Sequence, residues 1–339
     1  MTKTISIRDV YGEVLVKLGK QNSNIVLLDA DLSCSTRTAK FAKAFPERFF
    51  NMGIAEQNML STAAGLASCG KIPFVSTFAV FATGQAWSQI RQSICYSCQN
   101  VKIVATHAGI TVGEDGATHQ ANEDISLMRS LPNMNIIVPA DAIETEKALE
   151  SIAEDKCYTY VRLSRHKFPL IYDSHYIFEK GKAVVLEDGV DATVIAIGIM
   201  VSKALQARRI LKREGLSVRV LNMPTVKPID QNTIIAAAQE TGAIVTAEEH
   251  SIIGGLGSAT AEVLSEHYPV PLKRIGINDC FGISGKAEEL LDYYGLTANA
   301  IVGAVRKVIT NKNRTIKYNT TLSGIGVEKV FMQCERAAS

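Results

Sequence analysis

The chain has 339 residues, of which 47% are apolar and 21% charged; that is the make-up of a globular protein too long for one small core, so two domains are expected. A net charge of only +2 without any basic run excludes nucleic acid and anionic membranes as partners suggested by composition, which leaves small-molecule chemistry or protein partners. No apolar stretch approaches the ~20 residues of a membrane helix, MTKTISIRDVYGEVL lacks a signal-peptide core, and the seven scattered cysteines read as reduced thiols, so the expected location is cytoplasmic.

Along the chain, short β-branched runs alternate with helical patterns. Strands are predicted at 25–29, 72–76, 101–106, 136–138 and 158–163, with helices at 8–18, 56–68, 85–98, 123–130 and 142–153. Near-continuous apolar strands separated by helices describe a parallel sheet covered on both faces, hence an α/β first domain over 1–168. The stretch 166–182 has no periodicity and reads as a linker, assigned to 169–182. A second, smaller α/β unit follows at 183–312, with strands at 193–197, 218–221, 244–246 and 272–275 and helices at 202–214, 231–239, 258–267 and 298–309. Residues 313–339 fit neither pattern and are expected to be a disordered or added tail. The fold class is α/β, with two doubly wound domains.

In parallel sheets, ligands gather at loops following the strands. Three loops here carry unusual chemistry: Ala30-Asp31-Leu32-Ser33-Cys34-Ser35, Thr77-Phe78-Ala79-Val80-Phe81, and the long His107–Gln120 segment with its three glycines and two histidines. Phe78 and Phe81 are either a core pair or a flat wall for an aromatic ring. His107, Asp115 and His119 lack a further fixed ligand, so no metal site is assigned. Glu56 opens the small-residue helix after Gly53-Ile54-Ala55, and spacing alone leaves open whether it is a first-turn start signal or a chemical group. Cys95-Tyr96-Ser97-Cys98 is expected to be a packed helix face rather than a redox or zinc pair. Gly254-Gly255-Leu256-Gly257 is not GxGxxG, since Thr260 stands at the last position, and neither a GxxxxGK[ST] loop nor a GxSxG elbow occurs.

From Arg8 to about Ile309 the chain resembles the C-terminal half of transketolase, most closely the separate small subunit of split transketolases. The likeness rests on ordered motifs: Ala30-Asp31-Leu32-Ser33, Met52-Gly53-Ile54-Ala55-Glu56-Gln57, Ser76-Thr77-Phe78, Gly113-Glu114-Asp115-Gly116-Ala117-Thr118-His119-Gln120, Arg129-Ser130-Leu131-Pro132-Asn133, Pro139-Ala140-Asp141, Leu163-Ser164-Arg165 and Phe281-Gly282-Ile283-Ser284-Gly285. It implies a pyrimidine-binding domain plus a transketolase-type C-terminal domain. It further implies a transferase of two-carbon ketol units between sugar phosphates, as in the pentose phosphate pathway, with thiamine diphosphate as cofactor. Glu56 would hydrogen-bond N1′ of the aminopyrimidine, Phe78 and Phe81 would form its stacking wall, and Asp31 and Leu32 would line the cofactor ring. His107, His119 and Asp115 would orient hydroxyls and assist their proton movement. Arg8, Ser35, His107 and Arg165 would bind the sugar phosphate, for which a guanidinium fork is suited.

Two departures bear on the expectation. Gly84 stands where long transketolases place a third aromatic. The family's GDG motif with its later asparagine, which holds the diphosphate and Mg2+ or another divalent cation, is absent from the sequence. The resemblance therefore implies an N-terminal partner subunit carrying that half, with self-association into a heterotetramer. Two other readings share the Gly-Ile-Ala-Glu-Gln stretch: the C-terminal half of deoxyxylulose-phosphate synthase and the β subunit of 2-oxo acid dehydrogenases. A scaffold subunit that kept the fold and lost the chemistry is the third.

Overall fold

The computed structural model describes the backbone of residues 4–324. It is an α/β protein with two parallel-strand sheets. In chain order the strands are β1 (Thr4–Ser6), β2 (Ile25–Asp29), β3 (Phe49–Asn51), β4 (Ile72–Ser76), β5 (Lys102–Ala105), β6 (Asn135–Ile137), β7 (Thr159–Arg162), β8 (Lys167–Pro169), β9 (Val184–Glu187), β10 (Ala192–Ala196), β11 (Val218–Asn222), β12 (Thr225–Lys227), β13 (Ile244–Ser251) and β14 (Leu272–Ile277). The larger sheet has the order β12-β6-β7-β5-β4-β2-β3 and the smaller β14-β13-β10-β11-β9.

Alternation explains the layering. On β2, Ile25 and Leu27 join one apolar layer with α1 (Ile7–Gln21), whereas Val26 and Leu28 join the opposite layer with α2 (Glu56–Ser68). A strand covered on both faces must be apolar throughout, which is why IVLLD reads as a continuous run. Helix α1 buries Ile7, Tyr11, Val14, Leu15 and Leu18 on one face and starts at Ser6, whose hydroxyl accepts the Asp9 N–H.

In the larger sheet the chain steps from β2 outward to β3, then returns to β4 on the other side of β2. The carboxyl ends of β2 and β4 thus flank the point where strand order reverses, the crevice in which open α/β sheets bind ligands.

The structure corrects several expectations. The stretch 166–182 is not a free linker: β8 pairs antiparallel with β1, the Ile171 and Tyr172 N–H groups donate to Asp141 Oδ2, and Tyr176 Oη donates to the buried Glu144 at 2.5 Å. Side-chain carboxylates fix this segment where no periodic pattern could reveal it. The helix expected at 85–98 is a run of π-helical turns, Phe81–Gln85 and Ile90–Tyr96, around Trp87–Gln89. Cys95 is buried in it while Cys98 lies exposed in the turn beyond, so the two thiols do not share a packed face. The last helix spans Ala298–Gly324, so the tail expected from 313 begins as helix; residues 325–339 lie outside the described part. Finally, β12, well inside the second unit by sequence, completes the larger sheet by pairing antiparallel with β6.

Candidate active site

Every residue assigned from the sequence to the cofactor and substrate site lies at or beside the carboxyl ends of β2, β3, β4, β5 and β7, except Arg8, which lies in the first turn of α1 and reaches Ser35 and His107 in the same region. The β2 loop is shaped from beneath. Asp29 is fully buried and accepts from Leu32 N at 2.6 Å and from the Thr36 and Thr38 hydroxyls at 2.8 Å. Burial raises its pKa against those three bonds. Held this way, Asp31 adopts φ +63° and is exposed, bonded by Asn51 Nδ2 at 2.9 Å, and Leu32 caps the short helix Ser33–Thr36.

Glu56 begins α2, and its side chain is buried. Its only partner among the described residues is the Thr77 hydroxyl, donating to Oε1 at 3.5 Å. All other buried carboxylates among the described residues, Asp29, Asp124, Asp141, Glu144, Asp230, Glu248 and Glu249, accept at least one donor within 2.8 Å. Leaving a buried acceptor poorly matched costs about 1–3 kcal/mol, so Glu56 is set apart as a group short of a donor.

Beside it stand the aromatic rings. Pairing between β4 and β5 continues past the strand ends, with Thr106 N donating to Thr77 O and Ala79 N to Thr106 O. That register places Phe78 next to His107, their rings stacked at 3.6 Å. Phe81 lies one helical turn on, parallel to Phe78 at 5.8 Å and 9°. His119 meets Phe81 edge-on at 5.4 Å. A half-buried Phe81 and a buried Phe78 thus form a flat apolar surface adjoining an under-bonded carboxylate.

His107 is buried at φ +58°. Arg8 Nη1 approaches Nε2 at 3.4 Å and the Thr106 hydroxyl meets Nδ1 at 2.8 Å. Since a guanidinium only donates, Nε2 is the acceptor and Nδ1 carries the hydrogen. Burial, followed by the Arg8 and Arg165 charges, pushes the pKa down to about 2. The proton-assisting role expected of His107 is therefore that of a neutral ring, not an imidazolium.

The basic end lies on the other side of His107. Arg8 Nη1 also donates to Ser35 O at 2.7 Å, so Ser35 contributes its carbonyl there. Arg165 Nη1 donates to Val112 O at 2.7 Å and meets Asp115 Oδ2 at 3.4 Å. Burial and then the neighbouring Arg37 and Arg165 charges lower the Arg8 pKa to about 10. An open groove of about 470 Å³ runs past Arg8, Thr111, Gly113, Arg165, His166 and Lys167. Lys167, which lines the groove, was missed from sequence, although Arg165-His166-Lys167 is a run of basic side chains directly after a strand. Thr77, the partner of Glu56, was missed as well, because a hydroxyl at a strand end carries no distinctive pattern.

One motif serves the fold itself. The glycine turn at 254–257 starts the helix Leu256–His267, but its free N–H groups are taken by the chain itself: Leu256 N and Gly257 N donate to Glu248. Burial raises Glu248 to about 7. Among the described residues no group of three or more His, Cys, Asp or Glu is arranged to hold a metal ion, and no helix is long and apolar enough to cross a membrane.

Residues 3–169 match the family described as transketolase, pyrimidine binding domain, and residues 181–301 match transketolase, C-terminal domain. The chain is 54% identical over 298 residues to a Methanocaldococcus jannaschii protein described as a transketolase C-terminal section, covering 87% of this chain and 93% of that one. It is 42% identical over 307 residues to a 6-deoxy-6-sulfo-D-fructose transketolase subunit of a Clostridium species, covering 91% and 95%. Among solved structures, a split-gene transketolase in an inactive β4 tetramer superposes with a TM-score of 0.84 at 54% identity, over 91% of this chain and 100% of that one.

Proposed function

The chain belongs to the transketolase family, and from that premise we propose that it is the pyrimidine-side subunit of a two-chain enzyme moving a two-carbon ketol unit from a ketose phosphate to an aldose phosphate. The observation that carries this reading is Glu56, among the described residues the one buried carboxylate without a close donor, near the parallel Phe78 and Phe81 rings. That pair of features fits a flat heterocycle whose ring nitrogen shares a proton with the carboxyl group, so the residues present suit the pyrimidine of thiamine diphosphate. When bound, the cofactor supplies the carbon nucleophile that attacks a ketose carbonyl.

The chain's own residues take the remaining tasks. Glu56 would hold the proton at the pyrimidine N1′ nitrogen, and Phe78 and Phe81 would seat the ring, with Asp31 and Leu32 along its edge. Neutral His107, with His119 and Asp115, would bind and orient sugar hydroxyls. Arg8 and Arg165, with Lys167 at the groove's mouth, suit a phosphate through charge and fork geometry. The diphosphate and a divalent cation would be held mainly by an N-terminal partner subunit. The absence of the GDG motif from the sequence and the split-gene relatives support that division. A heterotetramer working in the cytoplasm completes the proposal.

The test uses the chain assembled with its partner. Replacing Glu56 by glutamine should lower ketol transfer about 10²- to 10⁴-fold, the usual range for a lost proton-handling group; unchanged turnover removes its central role. Calorimetric titration of thiamine diphosphate should show binding with the partner present, and none under either condition favours the scaffold reading. Product analysis with pyruvate against ketose phosphates separates ketol transfer from the chemistry of the related synthases and dehydrogenases, and comparison with a sulfonated ketose identifies the donor.

A further inference from the structure

The glycine-rich loop that presents Asp115 and His119 is held within its own unit by Arg165, which donates to Val112 O at 2.7 Å and meets Asp115 Oδ2 at 3.4 Å, and by the edge-on contact of His119 with Phe81. Inside it, Gly116 N bonds Gly113 O and His119 N bonds Gly116 O, at 3.1 and 3.0 Å; those bonds shape the turn without fixing it to the sheet. A second set of fastenings comes from the second unit. At one end, Thr111 N donates to Glu249 Oε1 at the end of β13, at 2.8 Å. At the other, the Gln120 carboxamide is buried and spreads its Nε2 over Ile283 O at 2.9 Å, Ile110 O at 3.3 Å and Gly113 O at 3.4 Å. One amide thus ties both limbs of the loop to the 281–285 segment.

Two glycines are required by this closeness. A Cβ on Gly282 would stand 1.7 Å from Gln120 Oε1, and one on Gly116, whose φ is +78°, would stand 2.4 Å from Ser284 Oγ. The base of the loop is packed, with Ile110, Val112 and Leu290 buried, whereas beside Gln120 a cleft of about 280 Å³ opens between Gln120, Asn122, Ser251 and Phe281. On that side directed contacts contribute most to the loop's position.

We infer that the second unit serves the reaction as a clamp, with Gln120 as a positioning residue that, through Ile283 and Gly282, holds Asp115 beside Arg165 and His119 against Phe81. The inference rests on the proposed ketol transfer for its kinetic consequence, while the clamp itself is a property of the chain. Gln120 touches no substrate in this account; it acts through the loop. Glu56, Phe78 and Phe81 lie on other elements and the loop meets the two rings only edge-on through His119, so cofactor binding should depend little on the clamp.

Two variants, Gln120→Ala and Gly282→Ala, test it in the full chain. Hydrogen–deuterium exchange should show faster exchange of the 113–119 backbone in each, with α2 and the 77–81 segment unchanged. In the assembled enzyme, kcat/KM for the ketose phosphate should fall about tenfold or more, as misplacement of orienting groups does, while the thiamine diphosphate Kd stays within about twofold. Adding Gly282→Ala to Gln120→Ala should cost nothing further, since the carboxamide it obstructs is already gone. The inference is overturned if loop exchange is unaltered, if the two losses multiply, or if the fall in rate tracks loss of cofactor. Should Gly282→Ala not fold, Gln120→Ala alone still decides through exchange. Should wild-type chain and partner show no ketol transfer, the functional proposal fails, and the exchange experiment continues to judge the clamp.

Discussion

Replacing Arg8 by methionine isolates the anionic end of the groove. Methionine keeps a similar apolar stem and removes the charge. Arg8 now spends Nη1 on Ser35 O at 2.7 Å and holds Nη2 a distant 3.5 Å from Arg165 O, while its buried Nε has no partner. Its pKa, lowered to about 10 by burial and by Arg37 and Arg165, still leaves it cationic at neutral pH. Arg8 itself has no carboxylate bonded to it among the described residues, while Arg37 and Arg165 each meet one, Asp9 at 2.7 Å and Asp115 at 3.4 Å, so three guanidinium groups face two carboxylates and leave room for an anion. One charge-assisted hydrogen bond to phosphate contributes about 1.5–3 kcal/mol. Converted at about 1.4 kcal/mol per factor of ten, the variant should lose roughly 10- to 100-fold in kcat/KM on a phosphorylated ketose. The same ketose without phosphate serves as control, because loss of the Ser35 bond and of the contact to His107 affects both substrates alike. It should change less than about threefold. The assay is steady-state kinetics of the chain assembled with its partner, at low and high salt, since a phosphate contact at an open groove weakens as charges are screened. Equal losses on the two substrates, or a wild-type preference for phosphate that salt does not touch, would refute the assignment.

The ring of His107 should stay neutral in an NMR titration from pH 8 down to about 5, because its folded pKa of about 2 lies far below the ordinary 6.5. The unfolded chain takes up that proton first, so the stability it contributes is complete above pH 6.5 and is lost as pH falls toward 2. The limiting slope is about 1.4 kcal/mol per pH unit. Denaturation midpoints of wild type and His107→Gln should therefore converge as pH drops from 7.5; a constant gap would contradict it. The buried pair of Arg162 Nε and Asp124 Oδ2, at 2.7 Å with Tyr160 Oη donating to the same oxygen at 2.6 Å, yields a second expectation. Arg162→Met should cost about 3–5 kcal/mol by stranding a buried carboxylate, whereas Arg162→Met with Asp124→Leu should cost less than the two single variants added. Urea denaturation measures all three, and simple additivity would show that the pair is not coupled.

How much of this was legible follows from where each partner sits in the chain. The loops after β2, β4 and β5 announced themselves because strand ends in a parallel sheet are ligand positions and the residues there are unusual for surface loops. Asp29 did not, since a carboxylate ending an apolar strand looks like the onset of a loop, while the structure shows it buried and organising the next turn. Gln120 was quoted only as part of a motif, because its decisive partner, Ile283, is 163 residues away. The crossing of β12 into the larger sheet was invisible for the same reason: a three-residue edge strand carries its pairing in its neighbour, not in its own pattern. Local propensity gave way where tertiary bonds were strong, as in 166–182, strapped down by Asp141 and Glu144.

The contrast between Glu144 and Glu56 shows what separates a structural carboxylate from a candidate chemical one. Both are buried near the start of a helix, where the free N–H groups favour negative charge. Glu144 is answered by Ala140 N, by Tyr176 Oη and by Asn222 Nδ2 on both oxygens, from the first unit, the connecting segment and the second unit. Every donor is supplied by the chain, so nothing else is needed there. Burial raises its pKa to about 7 against those bonds. Glu56 receives one hydroxyl at 3.5 Å, although Gly53 and Ala55 before it already turn the backbone so that it enters the sheet's crevice. A fold able to satisfy seven buried carboxylates would satisfy an eighth if folding were its only purpose. The shortfall at Glu56 agrees with the proposed reading, in which the carboxyl group shares a proton with a ring nitrogen from outside the chain and the parallel rings of Phe78 and Phe81 suit a flat molecule.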